Sequence, residues 1–103
     1  MKYVQVITTV NTKSGAERIA RVLLEKKLSA CTQLCGPMTS VYRWKGRVKK
    51  SREWLCVAKT KVNLYAQVEK TIRAIYPYEL PEIIAVPIVK GSVGYLRWLE
   101  KEI

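Results

Sequence analysis

The sequence predicts an α+β fold, a ferredoxin-like βαββαβ sandwich with an extended β-hairpin and a short C-terminal helix, in one domain over residues 1–103. Three observations carry this. Apolar runs change from strand period to helix period in the order β-α-β-β-α-β-α. The length of 103 residues suits a single core. No linker, repeat or low-complexity segment divides the chain. Two βαβ units with right-handed crossovers sharing one sheet give the sandwich, with the fourth strand at an edge beside the first.

The first strand is expected over Lys2 to Val10, rich in Val, Ile and Thr. Ser14 with Glu17 has capping-box spacing, and Ala16, Ile19, Ala20, Leu23 and Leu24 follow at helical intervals to about Lys27. The second strand starts at Ser29, is interrupted at Gly36-Pro37 and resumes over Thr39 to Trp44. Gly46 supplies a turn into a third strand over Ser51 to Thr60. A second helix spans about Asn63 to Ile75, with Tyr65, Val68, Ile72 and Ile75 inward and Pro77 as its stop. Ile83 to Val89 forms the fourth strand, and Pro87 favours an edge. Leu96, Leu99 and Ile103 mark the closing helix.

The third strand with its shoulders runs about 12 residues, or ~40 Å. A compact domain of this length has a diameter near ~33 Å. The hairpin therefore projects. Tyr42, Trp44 and Gly46 are expected on one face, and Arg43, Lys45 and Arg47 on the other, followed by Lys49, Lys50 and Arg52. Cations on a strand discourage stray pairing or meet an acidic partner. An exposed ribbon carrying Tyr42, Trp44 and Trp54 needs cover, and a second copy of the chain is the economical cover.

Composition narrows the function. Nineteen Lys and Arg against 8 Asp and Glu give a net charge of +11, which attracts polyanions. There is no histidine, so a Ser-His-Asp or Cys-His arrangement is absent. Neither a P-loop nor a G-x-G-x-x-G run occurs. No enzyme is expected. Three cysteines do not form a disulfide framework. Cys31 and Cys35 on one strand would stand ~13 Å apart, beyond the ~7 Å limit for a bridge. No apolar run reaches the ~20 residues of a membrane span, and the N-terminus lacks a signal-peptide pattern, so a cytoplasmic protein without membrane contact is expected.

Several motifs recur in a known order: Leu28-Ser29-Ala30-Cys31, Ser40-Val41-Tyr42-Arg43-Trp44-Lys45-Gly46, Glu53, Lys59-Thr60, Tyr76-Pro77-Tyr78-Glu79-Leu80-Pro81-Glu82-Ile83 and Tyr95-Leu96-Arg97-Trp98-Leu99. With them the chain resembles the CutA divalent-ion tolerance family over nearly its whole length. The resemblance implies a cytoplasmic homotrimer of ferredoxin-like subunits whose hairpins pair with neighbours, with links to copper tolerance and copper binding. Copper-linked members can carry a first-strand cysteine and a His-His pair. The matching positions here are Thr8, Ile75 and Tyr76. Cys31 remains as the candidate metal ligand, for copper or another divalent metal, and three symmetry copies could share a site.

The charged residues within these motifs are Glu53, Lys59, Glu79 and Glu82. Beside Trp44, Tyr78 and Trp98 they are the candidates for an inter-subunit ligand cleft, or alternatively for inter-subunit salt bridges. The leading expectation is a trimeric metal-response protein that binds a metal, a small ligand or other proteins. One alternative is a basic nucleic-acid-binding module, since RRM domains share the topology. The chain lacks phenylalanine for an RRM signature, so any such binding would be non-specific. The other is a signalling trimer of the nitrogen-regulator type, by analogy of architecture.

Overall fold

Strand β1 (Tyr3–Val10) turns Val4, Val6, Thr8 and Val10 to one side, each no more than 2% exposed. The computed structural model to which it belongs describes residues 2–76 and 78–103. Helix α1 (Lys13–Glu25) lays Ala16, Ile19 and Leu23 on that side. Its N-cap is Thr12, not Ser14: Thr12 has an extended backbone, and its Oγ1 accepts the Gly15 N–H at 3.0 Å. Either hydroxyl residue can cap, and the earlier one wins by gaining two more helical residues. At the other end the Leu28 N–H donates to the Leu23 carbonyl at 2.9 Å and the Lys27 N–H to that of Leu24 at 3.0 Å. This is a Schellman closure, with Lys27 at φ 55 where glycine is usual.

Strands β2 (Cys31–Trp44) and β3 (Arg47–Lys61) pair antiparallel along their length. The expected interruption is instead a bulge within one strand. Cys35 pairs with Leu55 and Met38 with Glu53, so Gly36 and Pro37 together oppose Trp54. A Cβ on Gly36 would lie 2.7 Å from the Trp54 ring. The bulge switches the alternation. Cys31, Gln33 and Cys35 before it share a face with Met38, Ser40, Tyr42 and Trp44 beyond it.

Lys45 (φ 49) and Gly46 (φ 78) form a two-residue turn of the I′ kind. Three expectations about the hairpin change. The third strand starts at Arg47 rather than Ser51. Arg47 pairs with Trp44 and so shares its face, because a two-residue turn puts the flanking residues opposite each other. Trp54 lies on the opposite face from Tyr42 and Trp44, packed against the core.

A 3-10 turn (Val62–Leu64) leads into helix α2 (Tyr65–Ile75), which buries Val68 and Ile72. Pro77, the expected stop, lies outside the described residues. Strand β4 (Ile83–Pro87) pairs with β1 and ends at Pro87, on the edge. Sheet order is β2-β3-β1-β4, all antiparallel, as the ferredoxin-like topology requires.

Helices α1 and α2 and the core cover one face of the sheet. Helix α3 (Val93–Glu102) packs on one end of the other face. Its Glu100 accepts from the Tyr3 hydroxyl at 3.0 Å and pairs with Lys61 at 3.6 Å, and its Leu99 is fully buried. The rest of that face is open and apolar, with Ile7, Leu55 and Val57 flanked by Ile84 (49% exposed) and Val86 (37% exposed). The strands beyond the bulge form a projecting arm, and the molecule measures 45 × 25 × 23 Å. Among the described residues no helix is long and apolar enough to cross a membrane.

Candidate functional site

The arm and the turn after α2 enclose a groove of about 850 Å³. Three segments far apart in sequence build it. From the arm come Tyr42, Trp44, Ser51 and Glu53. These face one way because the bulge resets the pleat, so that Met38 rather than Pro37 opposes Glu53. The end of β1 contributes Thr9 and Asn11, and the turn contributes Tyr78, Glu79, Leu80 and Glu82.

Hydrogen bonds hold the walls. The Tyr78 hydroxyl donates to Asn11 Oδ1 at 3.1 Å, tying the turn to the end of β1. Tyr42 and Ser51 share a bond between hydroxyls at 2.6 Å across the arm. The Tyr76 and Tyr78 rings meet edge to face, 5.7 Å apart. Three carboxylates, Glu53, Glu79 and Glu82, thus line one groove of a chain with a net charge of +11, but are not grouped closely enough to hold a metal ion among themselves. Arg43 and Lys49 complete its rim. Such a groove can accept hydrogen-bond donors or a positive charge on its acidic wall and stack a flat or apolar group on Trp44 and Tyr78.

Five of the seven candidate cleft residues meet here: Trp44, Glu53, Tyr78, Glu79 and Glu82. Lys59 and Trp98 do not. They lie where α3 crosses the sheet, with Lys59 Nζ 5.4 Å from the Tyr95 ring centroid and Tyr95 5.6 Å from Trp98. Trp98 is 41% exposed, so it belongs neither to the core nor to the groove of its own subunit. Cys31 pairs in register with Lys59, remote from the groove, with its thiol free and partly buried. Asn11, Ser51 and Leu80 were not anticipated. Asn11 carries a signal in hindsight, as a side-chain acceptor just after a strand and close to its end.

A resident metal ion finds no centre in one subunit. Among the described residues no three His, Cys, Asp or Glu side chains come together to hold one. Burial pushes the Cys56 thiol up to about 11, which keeps it protonated at neutral pH and unfit as a thiolate ligand.

The family model described as CutA1 divalent ion tolerance protein matches residues 4–102. The divalent-cation tolerance protein CutA of Thermus thermophilus is 38% identical over 96 residues, which cover 93% of each chain. The CutA proteins of mouse and human are also 38% identical, and the chain spans about half of their length (53% and 52%). In structure, the Thermus thermophilus protein superposes with a TM-score of 0.93 at 37% identity, covering 99% of this chain and 98% of that one. A CutA from Xylella fastidiosa reaches 0.95 at 32% identity, covering 100% and 99%. A neighbour from Archaeoglobus fulgidus is described as periplasmic and an Arabidopsis thaliana relative as chloroplastic. On a match across nearly its whole length, in sequence and in fold, the chain belongs to the CutA1 divalent ion tolerance family.

Proposed function

We propose that this protein acts as a homotrimer that binds, rather than transforms, a small ligand or divalent cation in the groove, and so takes part in the response to metal ions such as copper. One observation carries the reading: Trp44, Glu53, Tyr78, Glu79 and Glu82, spread over 39 positions of sequence, gather around a single groove. Groups that converge from separate elements on an acidic, aromatic-walled cavity fit recognition. A neighbouring subunit laid against the arm would close the open side and raise the strength of every polar contact inside. Cys31 joins this reading through symmetry. It sits on the open sheet face, where copies from three subunits could supply a thiolate set for a soft metal such as copper. The reading places the protein in the cytoplasm, with other proteins as possible partners of the trimer.

Isothermal titration of the reduced protein with Cu(I), Cu(II) and Zn(II) tests it, alongside Glu79→Gln/Glu82→Gln and Cys31→Ser. Saturable heat that the double glutamine variant abolishes supports the groove. Heat that only Cys31→Ser abolishes moves the metal to the open face. No heat at micromolar protein with any of the three ions overturns the cation reading.

A further inference from the structure

Gly15 is the third residue of α1 and is buried. Nothing in its backbone calls for glycine. Its φ is not positive, and the bond from its N–H to Thr12 Oγ1 at 3.0 Å is open to any residue but proline. Glycine loses more backbone entropy in a helix than alanine does, so its place here needs another cause. That cause is space. A Cβ on Gly15 would collide with the Tyr76 hydroxyl and stand 2.6 Å from the Cζ of the same ring and 2.9 Å from Thr12 Oγ1. Gly94, the glycine of α3, differs: a Cβ there would meet nothing within 4 Å.

Tyr76 closes α2, where its N–H donates to the Ile72 carbonyl at 2.9 Å. Its own carbonyl accepts the Tyr78 N–H at 2.8 Å, and its ring meets the Tyr78 ring edge to face at 5.7 Å. The Tyr78 hydroxyl in turn donates to Asn11 Oδ1 at 3.1 Å. Two tyrosines from one turn therefore grip the junction of β1 and α1 at two points, Asn11 by a hydrogen bond and Gly15 by close packing. The same turn continues into Glu79 and Glu82, the acidic wall of the groove. Neither Gly15 nor Tyr76 lines the groove, so both can act on it only through Tyr78 and the turn.

We propose that Gly15 is a positioning residue of the groove: the side chain it lacks leaves a seat for the Tyr76 ring at the start of α1, and the seated ring holds Tyr78 and the acidic turn in place. A binding site is only as well defined as the groups that lock its walls, and this seat is such a lock. The functional meaning of the seat rests on the groove reading, whereas the seat itself can be observed with no ligand present.

The test is NMR of the full-chain protein with isotope-labelled tyrosine and asparagine. The parent should show cross-peaks between the Tyr76 and Tyr78 rings and between the Tyr78 ring and the Asn11 side chain. Gly15→Ala should lose both while keeping the far-UV spectrum of the parent. Gly94→Ala, the same change where a Cβ meets nothing, should keep both. Tyr76→Leu removes the ring that Gly15 seats, so it should displace Tyr78 by itself, and adding Gly15→Ala to it should change the Tyr78 signals no further. A Gly15→Ala variant that keeps both cross-peaks overturns the proposal. So does an equal displacement of Tyr78 by Gly15→Ala in the Tyr76→Leu background, because the added methyl would then act through Thr12 Oγ1. If Gly15→Ala alone does not fold, a folded Gly15→Ala/Tyr76→Leu supports the seat and an unfolded one overturns it. The consequence for binding is read by titrating the reduced protein with Zn(II). Affinity should fall about fivefold in Gly15→Ala, the worth of one lost contact, and stay at the parent level in Gly94→Ala. Parent affinity in Gly15→Ala with Tyr78 displaced overturns the positioning role. No heat from the parent itself counts against cation binding in the groove, and the cross-peaks then decide the seat on their own.

Discussion

Thr60 is fully buried, and its hydroxyl is the one buried side-chain oxygen or nitrogen among the described residues without a hydrogen-bond partner. It sits opposite Val4 on the helix-covered face of β3. Removing a buried hydroxyl that has no partner recovers its desolvation cost, about 1–3 kcal/mol, and valine keeps the shape. Thr60→Val should therefore raise stability by about 1 kcal/mol, read as a higher urea midpoint at unchanged m-value. A lower midpoint would mean that the hydroxyl is satisfied in solution. Lys27 makes a related point in the backbone. Its φ of 55 strains a side-chain-bearing residue at the position where helices favour glycine. Lys27→Gly should stabilise by about 1 kcal/mol in the same assay, and a loss would show that the lysine stem contributes packing that outweighs the strain.

Elements were more legible in the sequence than the details that orient them. Helical spacing at Ala16, Ile19 and Leu23 located α1 and the β-branched run located β1, because burial of one face imposes its period on the residues, whereas β3 starts earlier and β4 ends earlier, at Pro87, than the residue types suggest. The bulge at Gly36-Pro37 was legible as a disturbance but not as a switch of facing, since that depends on which β3 residue takes the extra partner. Glu53 and Trp54 show the consequence: the register, not the alternation of residue types, sends one to the groove and the other to the core. Lys59 and Trp98 were grouped by motif with a cleft between subunits, and within one subunit the topology places them by α3, away from the groove.

Helix α3 gives this scale its prediction. The Tyr3 hydroxyl, helped by Lys2 and Lys61, holds the Glu100 carboxyl below its ordinary value of 4.5, against the opposing effect of partial burial. A depressed carboxyl contributes stability that is present above that ordinary value and fades as pH falls through the folded-state value. Helix α3 should stay docked at neutral pH and loosen as pH falls below that ordinary value, visible in the Trp98 indole NMR signal. Glu100→Gln should loosen it already at pH 7 and remove most of that acid dependence. Glu69 on α2 is likewise held below its ordinary value, by Tyr65 and Arg73, so Glu69→Gln is the control and should leave the Trp98 signal unchanged.

At the scale of the whole molecule, the two faces of the sheet are treated differently. One is sealed by α1 and α2, with Val4, Val6 and Ala58 no more than 2% exposed. The other is closed by α3 only at one end and leaves Ile7, Leu55 and Val57 half-buried and Ile84 and Val86 exposed around the middle. An apolar sheet centre left in water costs roughly 25 cal/mol for every Å² that association could bury. Cys31 lies on this same face, on the outer strand β2. The proposed trimer therefore rests on Val57, near the middle of the open face and on the inner strand β3. Val57→Glu puts a charge where the reading requires dry contact, and a buried, unpaired carboxylate costs several kcal/mol. The parent protein should sediment as a trimer at micromolar concentration and the variant as a monomer with an unchanged far-UV spectrum. Its unfolding midpoint should also lose the dependence on protein concentration that a trimer shows. A variant that remains trimeric would place the interface elsewhere, on the outer edge of β2, and would detach the shared Cys31 site from the assembly.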